Sequence, residues 1–477
     1  MLDNSGRELQ QTPWMERHFS SPNSFAPIPV MGFDRRRISA MKASREGIFR
    51  KAAFFFLWIL MFVIPWENGV VIHSFGTLSR VVGIPAFGMA LLAILECGIL
   101  RALALQQVIM LFFLIWGGLT YFWSFAPSST VTSIYTFVQL FTMVWLIWEF
   151  AQTRREQLLL LRAYSLGSIV SSVSTLTGFF KQAGPQSGRY SGLNFNPGDL
   201  AFILALAIPI SLYLAVQERK KILVWVAGAA TVLAFCAIVL TASRGSLIAC
   251  TPTLLMFPFL FPKLRWGRNL VVLVFLALAG IGSWLFMPES SWSRLSTIGS
   301  EITSGTLNER TMIWQVGWQV FGKAPFQGVG AGAYAPAVEH TLGLASDAGG
   351  TESGDQVGRL VAHNTFFSIL VEQGAIGFTL FFVLLLTLML SAWKLPRVER
   401  IFWLCILLTW AIGASDLTWE QRKPTWVIFG LLIAVAATKL APEARSSWKR
   451  AFPGEPSGFY RQAPLAAEIS RSQGFSS

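Results

Sequence analysis

The chain alternates between long apolar runs and short polar joints, and the run lengths carry the first message. A hydrocarbon core about 30 Å thick takes roughly 20 residues of helix per crossing. Apolar runs of that kind occupy about 52–66, 78–95, 104–123, 131–150, 159–180, 196–216, 222–242, 245–262, 269–287, 364–393, 401–415 and 424–440. They predict an all-α integral membrane protein of about 12 transmembrane helices. The first and eleventh runs are short, and the tenth is long enough to project from the membrane. One long polar stretch, 288–362, separates the ninth run from the tenth. A chain made mostly of lipid-facing helix spends its polar residues where it meets substrate, so this loop is the first place to look for chemistry.

The distribution of basic residues sets the orientation. Five alternate short joints hold 13 of them: Arg101; Arg154, Arg155 and Arg162; Arg219, Lys220 and Lys221; Lys263, Arg265 and Arg268; Lys394, Arg397 and Arg400. The opposite joints hold six: Arg80, Lys181, Arg189, Arg244, Arg422 and Lys423. Cytoplasmic loops are the basic ones, so an even number of spans with both termini in the cytoplasm fits every joint. The 288–362 loop then falls on the extracytoplasmic side. Residues 1–50 read as a disordered cytoplasmic tail, 51–441 as one membrane domain carrying the loop, and 442–477 as a cytoplasmic C-terminal tail. A cleaved signal peptide would place its apolar stretch much nearer the start. No internal repeat is apparent, nor a matched pair of broken helices.

Composition agrees with the pattern. Apolar residues make up 53% of the chain and charged ones 13%, with 19 Trp and 39 Phe, too oily for a soluble protein of this length. The net charge of +13 is broken into clusters between spans rather than laid along one polar face, so no nucleic-acid partner is expected. Cys97, Cys236, Cys250 and Cys405 lie in or beside apolar runs, form no CxxC and have no His at ligand spacing. They read as small apolar residues.

Three arginines break the orientation rule. Arg189 lies in an outer joint before the sixth run, Arg244 in a hairpin with almost no loop, and Arg310 opens an amphipathic segment. In that segment Ile313, Trp314, Gly317, Trp318 and Phe321 form a helical stripe suited to lying on the bilayer. Arginine's planar fork binds phosphate bidentately, and a cluster of arginines suits a pyrophosphate. Each could instead snorkel to lipid headgroups or cap a helix C-terminus. His363 ends the loop, where a neutral imidazole can take a proton from a hydroxyl. It could equally be an interfacial or helix-capping histidine, and its neighbour Asn364 is itself a candidate cap. Glu372, further down the same run, is an intramembrane carboxylate and so faces a partner or a cavity. We count it with Arg189 and Arg244 among the substrate-binding residues and expect a structural salt bridge to an arginine rather than catalysis. The run Gly328-Val329-Gly330-Ala331-Gly332 lacks the strand and Lys-Ser/Thr of a nucleotide loop and reads as a flexible turn after Pro325. The loop has no carboxylate cluster at metal-binding spacing, so chemistry without a metal or cofactor is expected.

Several segments together resemble the O-antigen ligase and polymerase superfamily. They are Ser243-Arg244-Gly245, Asn308-Glu309-Arg310 with Trp314, Ala324-Pro325-Phe326-Gln327 leading into the glycine run, His363-Asn364, and Glu372-Gln373-Gly374-Ala375-Ile376-Gly377. The 189–197 segment adds to them, and the resemblance spans about 189–378, more weakly 416–430. It implies a glycosyltransferase of the bacterial inner membrane that takes a glycan from undecaprenyl pyrophosphate at the periplasmic face. The acceptor would be lipid A-core or another carrier-bound glycan, and membrane lipids and polysaccharide export machinery are implied partners. In that reading Arg189, Arg244 and Arg310 bind the pyrophosphate leaving group, and His363 is the general base of an inverting displacement. The alternative from another class is a transporter or flippase for polysaccharide or lipid-linked oligosaccharide. A transporter would place ionisable or broken segments near the midplane in matched halves, whereas here the charges gather at the outer rim.

Overall fold

The computed structural model describes residues 47–72, 76–98, 100–181, 189–260, 310–343 and 360–451. Its helices are α1 (Ile48–Val63), α2 (Leu78–Cys97), α3 (Leu105–Leu119), α4 (Pro127–Phe150), α5 (Arg154–Phe180), α6 (Pro197–Gln217), α7 (Lys221–Leu240), α8 (Arg244–Leu260), α9 (Arg310–Lys323), α10 (Tyr334–Thr341), α11 (Thr365–Trp393), α12 (Arg397–Ala414) and α13 (Lys423–Ala451). Among the described residues the fold is all-α apart from a pair of two-residue strands, β1 (Val71–Ile72) with β2 (Gly76–Thr77), between α1 and α2. Among the described residues eight helices are long and apolar enough to cross a membrane: α1 to α7 and α11. The chain is thus a multi-pass membrane protein. Helices cover eleven of the twelve expected runs; the expected span over 269–287 lies outside the described residues. So do nearly all of the N-terminal tail, the loop over 288–309 and 344–359, and the end from 452. The tail expected from 442 begins inside α13, which runs to Ala451.

Local sequence explains where the helices start. Thr153 accepts from Glu156 N while the Glu156 carboxylate accepts from Thr153 N, a capping box for α5. Asn196 caps α6, with Pro197 at its first position. α6 is the central helix. It is apolar all round and packs against α5, α7, α8 and α12, as expected of a helix with no lipid- or water-facing side. The α1 and α2 faces that leave Phe55, Ile84, Leu91 and Leu95 exposed point outward as lipid-facing surface does.

Cross-links sort the joints onto two ends of the bundle. At one end Arg101 lies 3.3 Å above the Trp148 ring, Arg50 bonds Glu156, and Arg154 bonds Glu399. Burial lowers the Arg101 pKa to about 10, against the pull of Glu149. At the other end Lys423 bonds Glu67, Arg422 bonds Asp199, and Arg310 bonds Asp416. The α5–α6, α7–α8 and α12–α13 joints, the start of α9 and the start of α11 meet at this second end.

Candidate active site at one end of the bundle

The α7–α8 hairpin turns through Thr241, Ala242 and Ser243, with Ala242 at φ 51°. The preceding joint docks on it: Tyr190 N donates to Leu240 O at 3.1 Å and Arg189 Nε to Thr241 O at 3.1 Å. Arg189 therefore caps the C-terminal carbonyls of α7, one of the two structural roles expected of such an arginine. This also brings it to the hairpin that carries Arg244, the first residue of α8.

The next residue explains why a glycine follows Arg244. A Cβ on Gly245 would overlap the Asp416 carboxylate, so only glycine lets the α12–α13 joint close over the start of α8. Asp416 in turn accepts from Arg310 Nη1 at 2.6 Å, their side chains 23% and 30% exposed. Arg310, Asp416 and the start of α8 thus form one contact chain.

His363 sits beside it in a left-handed backbone conformation, φ 47°, uncommon for a residue with a side chain. Its flanks impose that turn. Trp314 Nε1 donates to Ala362 O at 2.7 Å, and Asn364 caps α11 by accepting from Phe367 N at 3.0 Å. The capping role thus belongs to Asn364 and not to His363. Thr365 Oγ1 donates to Leu417 O and accepts from Trp419 N, both at 2.8 Å, which fixes the start of α11 to the joint that carries Asp416. The charges acting on His363 are Arg310, Asp416 and Asp199; burial, then Arg310, lowers its pKa, and the two carboxylates oppose this. The result favours a neutral imidazole, the form able to accept a proton.

Asp199, on the first turn of α6, accepts from Trp419 Nε1 at 2.8 Å and from Arg422 Nη2 at 2.9 Å. The carboxylates Asp199 and Asp416 were not singled out from sequence. Each stands in a short polar break of an apolar hairpin, and an isolated acid at such a break was the available signal.

Glu372 departs from expectation. Its partners are not arginine: the carboxylate accepts from Gly332 N at 2.7 Å and Tyr334 N at 3.4 Å, and it interacts with Ser368 and with a second buried acid, Glu420. The reason is a break in α11. Gly374 has φ 66°, ψ −171°, and the freed backbone pairs with the segment after α9. Val329 N donates to Val371 O, Gly330 N to Glu372 O, and Ala375 N to Pro325 O, at 2.8–3.1 Å. A Cβ on either Gly328 or Gly374 would strike the other segment's backbone. The glycine run expected as a flexible turn is instead a backbone strap set into a broken helix.

The α9 stripe also differs. Ile313, Val316, Gly317 and Val320 form the buried face, and Trp314, Trp318 and Tyr334 gather round Phe367 of α11 at 5.3–6.5 Å between ring centroids. α9 is therefore held on protein along one side, with Trp318 at the edge of that contact and half-exposed. The structure brings His363 and Arg310 together, with the start of α8 at Arg244 against Asp416 and Arg189 on the same hairpin. Glu372 belongs to the strap.

Residues 229–382, from within α7 to within α11, match the family model described as O-antigen ligase. The match links this multi-pass membrane protein to the O-antigen ligase family. No curated protein matches the chain.

Proposed function

We propose that this protein is a membrane glycosyltransferase that moves a glycan from undecaprenyl pyrophosphate to an acceptor hydroxyl at the periplasmic face of the inner membrane. The observation that carries the reading is His363, turned at positive φ and poised neutral beside Arg310, at the end of the bundle that also carries Arg189 and Arg244. His363 takes the proton from the acceptor O–H. The acceptor oxygen forms its bond to the anomeric carbon as the bond from that carbon to the pyrophosphate oxygen breaks, with inversion. The leaving pyrophosphate takes the bonding electrons, and Arg189, Arg244 and Arg310 offset its charge. Arg310 uses Nη1 on Asp416, and a guanidinium has further N–H donors for phosphate oxygens.

The acceptor is a carrier-bound glycan or lipid A-core, which makes the protein a polymerase or a ligase. The joints at the opposite end hold more basic residues than those at the site end, among them Arg101, Arg154, Arg155, Arg162, Arg219, Lys220 and Lys221, which supports the periplasmic assignment and cytoplasmic termini. A transporter draws support from one feature, the helix broken at Gly374. That break is filled by the strap's backbone rather than left as a substrate cavity, which favours the transferase. The test is reconstitution in vesicles with purified lipid-pyrophosphate glycan and each acceptor: transfer supports the reading, and flipping without transfer defeats it.

A further inference from the structure

Behind the site lies a polar cluster that the transfer mechanism does not use. Glu420 is 2% exposed, Ser368 1% and Glu372 5%. Ser368 Oγ lies 3.0 Å from Glu420 Oε1 and also bonds the Glu372 carboxylate. Glu420 Oε2 is buried with no hydrogen-bond partner. A serine hydroxyl has one proton to give, yet here it stands between two carboxyl groups. With both acids charged, the hydroxyl can serve only one of them, and Glu420 Oε2 keeps no donor in either case. Glu372 already accepts two backbone N–H groups, from Gly332 and Tyr334, which suits the charged form. The backbone N–H groups of Glu420 and Trp419 act on the Glu420 carboxyl, but its Oε2 still has no partner, and an anionic oxygen left so in the interior costs far more than a neutral carbonyl.

We propose that Glu420 is held as the neutral acid, donates its proton to Ser368 Oγ and, through the Ser368 hydroxyl to the Glu372 carboxylate, positions the 415–422 joint that carries Asp416. The relay joins three pieces of the site. Glu420 lies between Asp416, which holds Arg310, and Arg422, which holds Asp199. Ser368 is on α11 one turn beyond His363-Asn364, and Glu372 anchors the strap and the start of α10. Glu420 is thus a positioning residue and touches no reacting atom.

The charged groups that bear on the relay are Glu372 from α11 and Arg422 from the joint itself, with the Tyr334 phenol facing Glu372 from α10. Burial pushes the Glu420 carboxyl above the usual carboxylate range; its hydrogen bonds and Arg422 oppose this. A raised carboxyl contributes stability that is fully present below its ordinary 4.5 and lost as pH rises through the raised value. The positioned state is therefore lost on the alkaline side.

Glu420→Gln tests this, because the amide N–H donates to Ser368 at every pH. The infrared spectrum of the purified wild-type protein is expected to show a buried carboxylic-acid C=O band that fades as pH rises and is missing in Glu420→Gln. Transfer by wild type should be lost progressively as pH rises on the alkaline side, while Glu420→Gln loses that alkaline fall. Glu420→Ala should be slow throughout. A wild-type band unchanged in Glu420→Gln, a Glu420→Gln protein that fails to fold, or one that keeps the alkaline fall would each overturn the proposal. Its consequence for transfer rests on the transferase reading, but the band does not: a band lost in Glu420→Gln with no transfer by wild type would sink that reading alone.

Discussion

Gly245→Ala isolates the contact that seats Asp416. In a helix, alanine is favoured over glycine by about 0.5–1 kcal/mol, so the backbone alone predicts a slight gain in stability. The neighbourhood predicts the opposite for activity. The new Cβ overlaps the Asp416 carboxylate and comes within 2.9 Å of Asp416 Cβ, so a rotamer change does not clear it. Asp416 must back away and release its 2.6 Å bond to Arg310. A charged hydrogen bond is worth about 1.5–3 kcal/mol. With the two side chains 23% and 30% exposed, we discount this to about 1–2 kcal/mol for solvent screening. At 1.36 kcal/mol per decade the fall in kcat/KM is about 5- to 30-fold. The assay is initial-rate transfer from purified lipid-linked glycan, with thermal unfolding in detergent measured on the same preparation. Gly228→Ala, in α7 with nothing within 4 Å of its Cβ, is the control and should transfer normally. Wild-type kcat/KM in Gly245→Ala, or a loss that only tracks the loss of folded protein, would refute the reasoning.

Other consequences are equally specific. Because burial and Arg310 lower the His363 pKa, the neutral base persists below the ordinary 6.5. The acid limb of the kcat/KM–pH profile should therefore lie below pH 6.5, and Arg310→Gln should move it upward in whatever activity remains. Gly374→Val combines positive φ with a clash against the Phe326 carbonyl and should cost about 3 kcal/mol or more, read as a lowered Tm or a failure to accumulate. Gly98→Ala, at φ 62° with open space around it, should cost only about 1 kcal/mol. Glu372→Ala leaves the Gly332 and Tyr334 N–H groups buried without an acceptor, about 1–3 kcal/mol each, and should lower Tm more than Glu372→Gln does.

Much of this architecture is legible in the chain because the dominant signal, about 20 apolar residues per crossing, is local. A helix start is readable where a cap carries it, as at Asn364. What escaped depends on contacts between distant segments. Nothing near Glu372 in sequence says that its acceptor role is taken up by Gly332 and Tyr334, some 40 residues earlier. The break at Gly374 is equally silent, since a glycine inside an apolar run usually marks close helix packing, and only the strap from 325–330 makes a break affordable. The α9 stripe pointed at lipid because a Trp-rich face suits the interface as well as it suits Phe367. The arginines were visible as exceptions to charge orientation. Their carboxylate partners, Asp199 and Asp416, were single acids in short joints and stood out only once the helices were assembled.

The central claim is that His363 and Arg310 act together in glycan transfer, and single-turnover transfer in reconstituted vesicles tests it most directly. With purified undecaprenyl-pyrophosphate glycan and acceptor, His363→Ala and Arg310→Ala should fold and bind membrane as wild type does. Removing a general base costs about 10²–10⁴ in rate, and removing one charge-stabilising donor about 10²–10³. Folded variants that transfer at the wild-type rate would contradict the account.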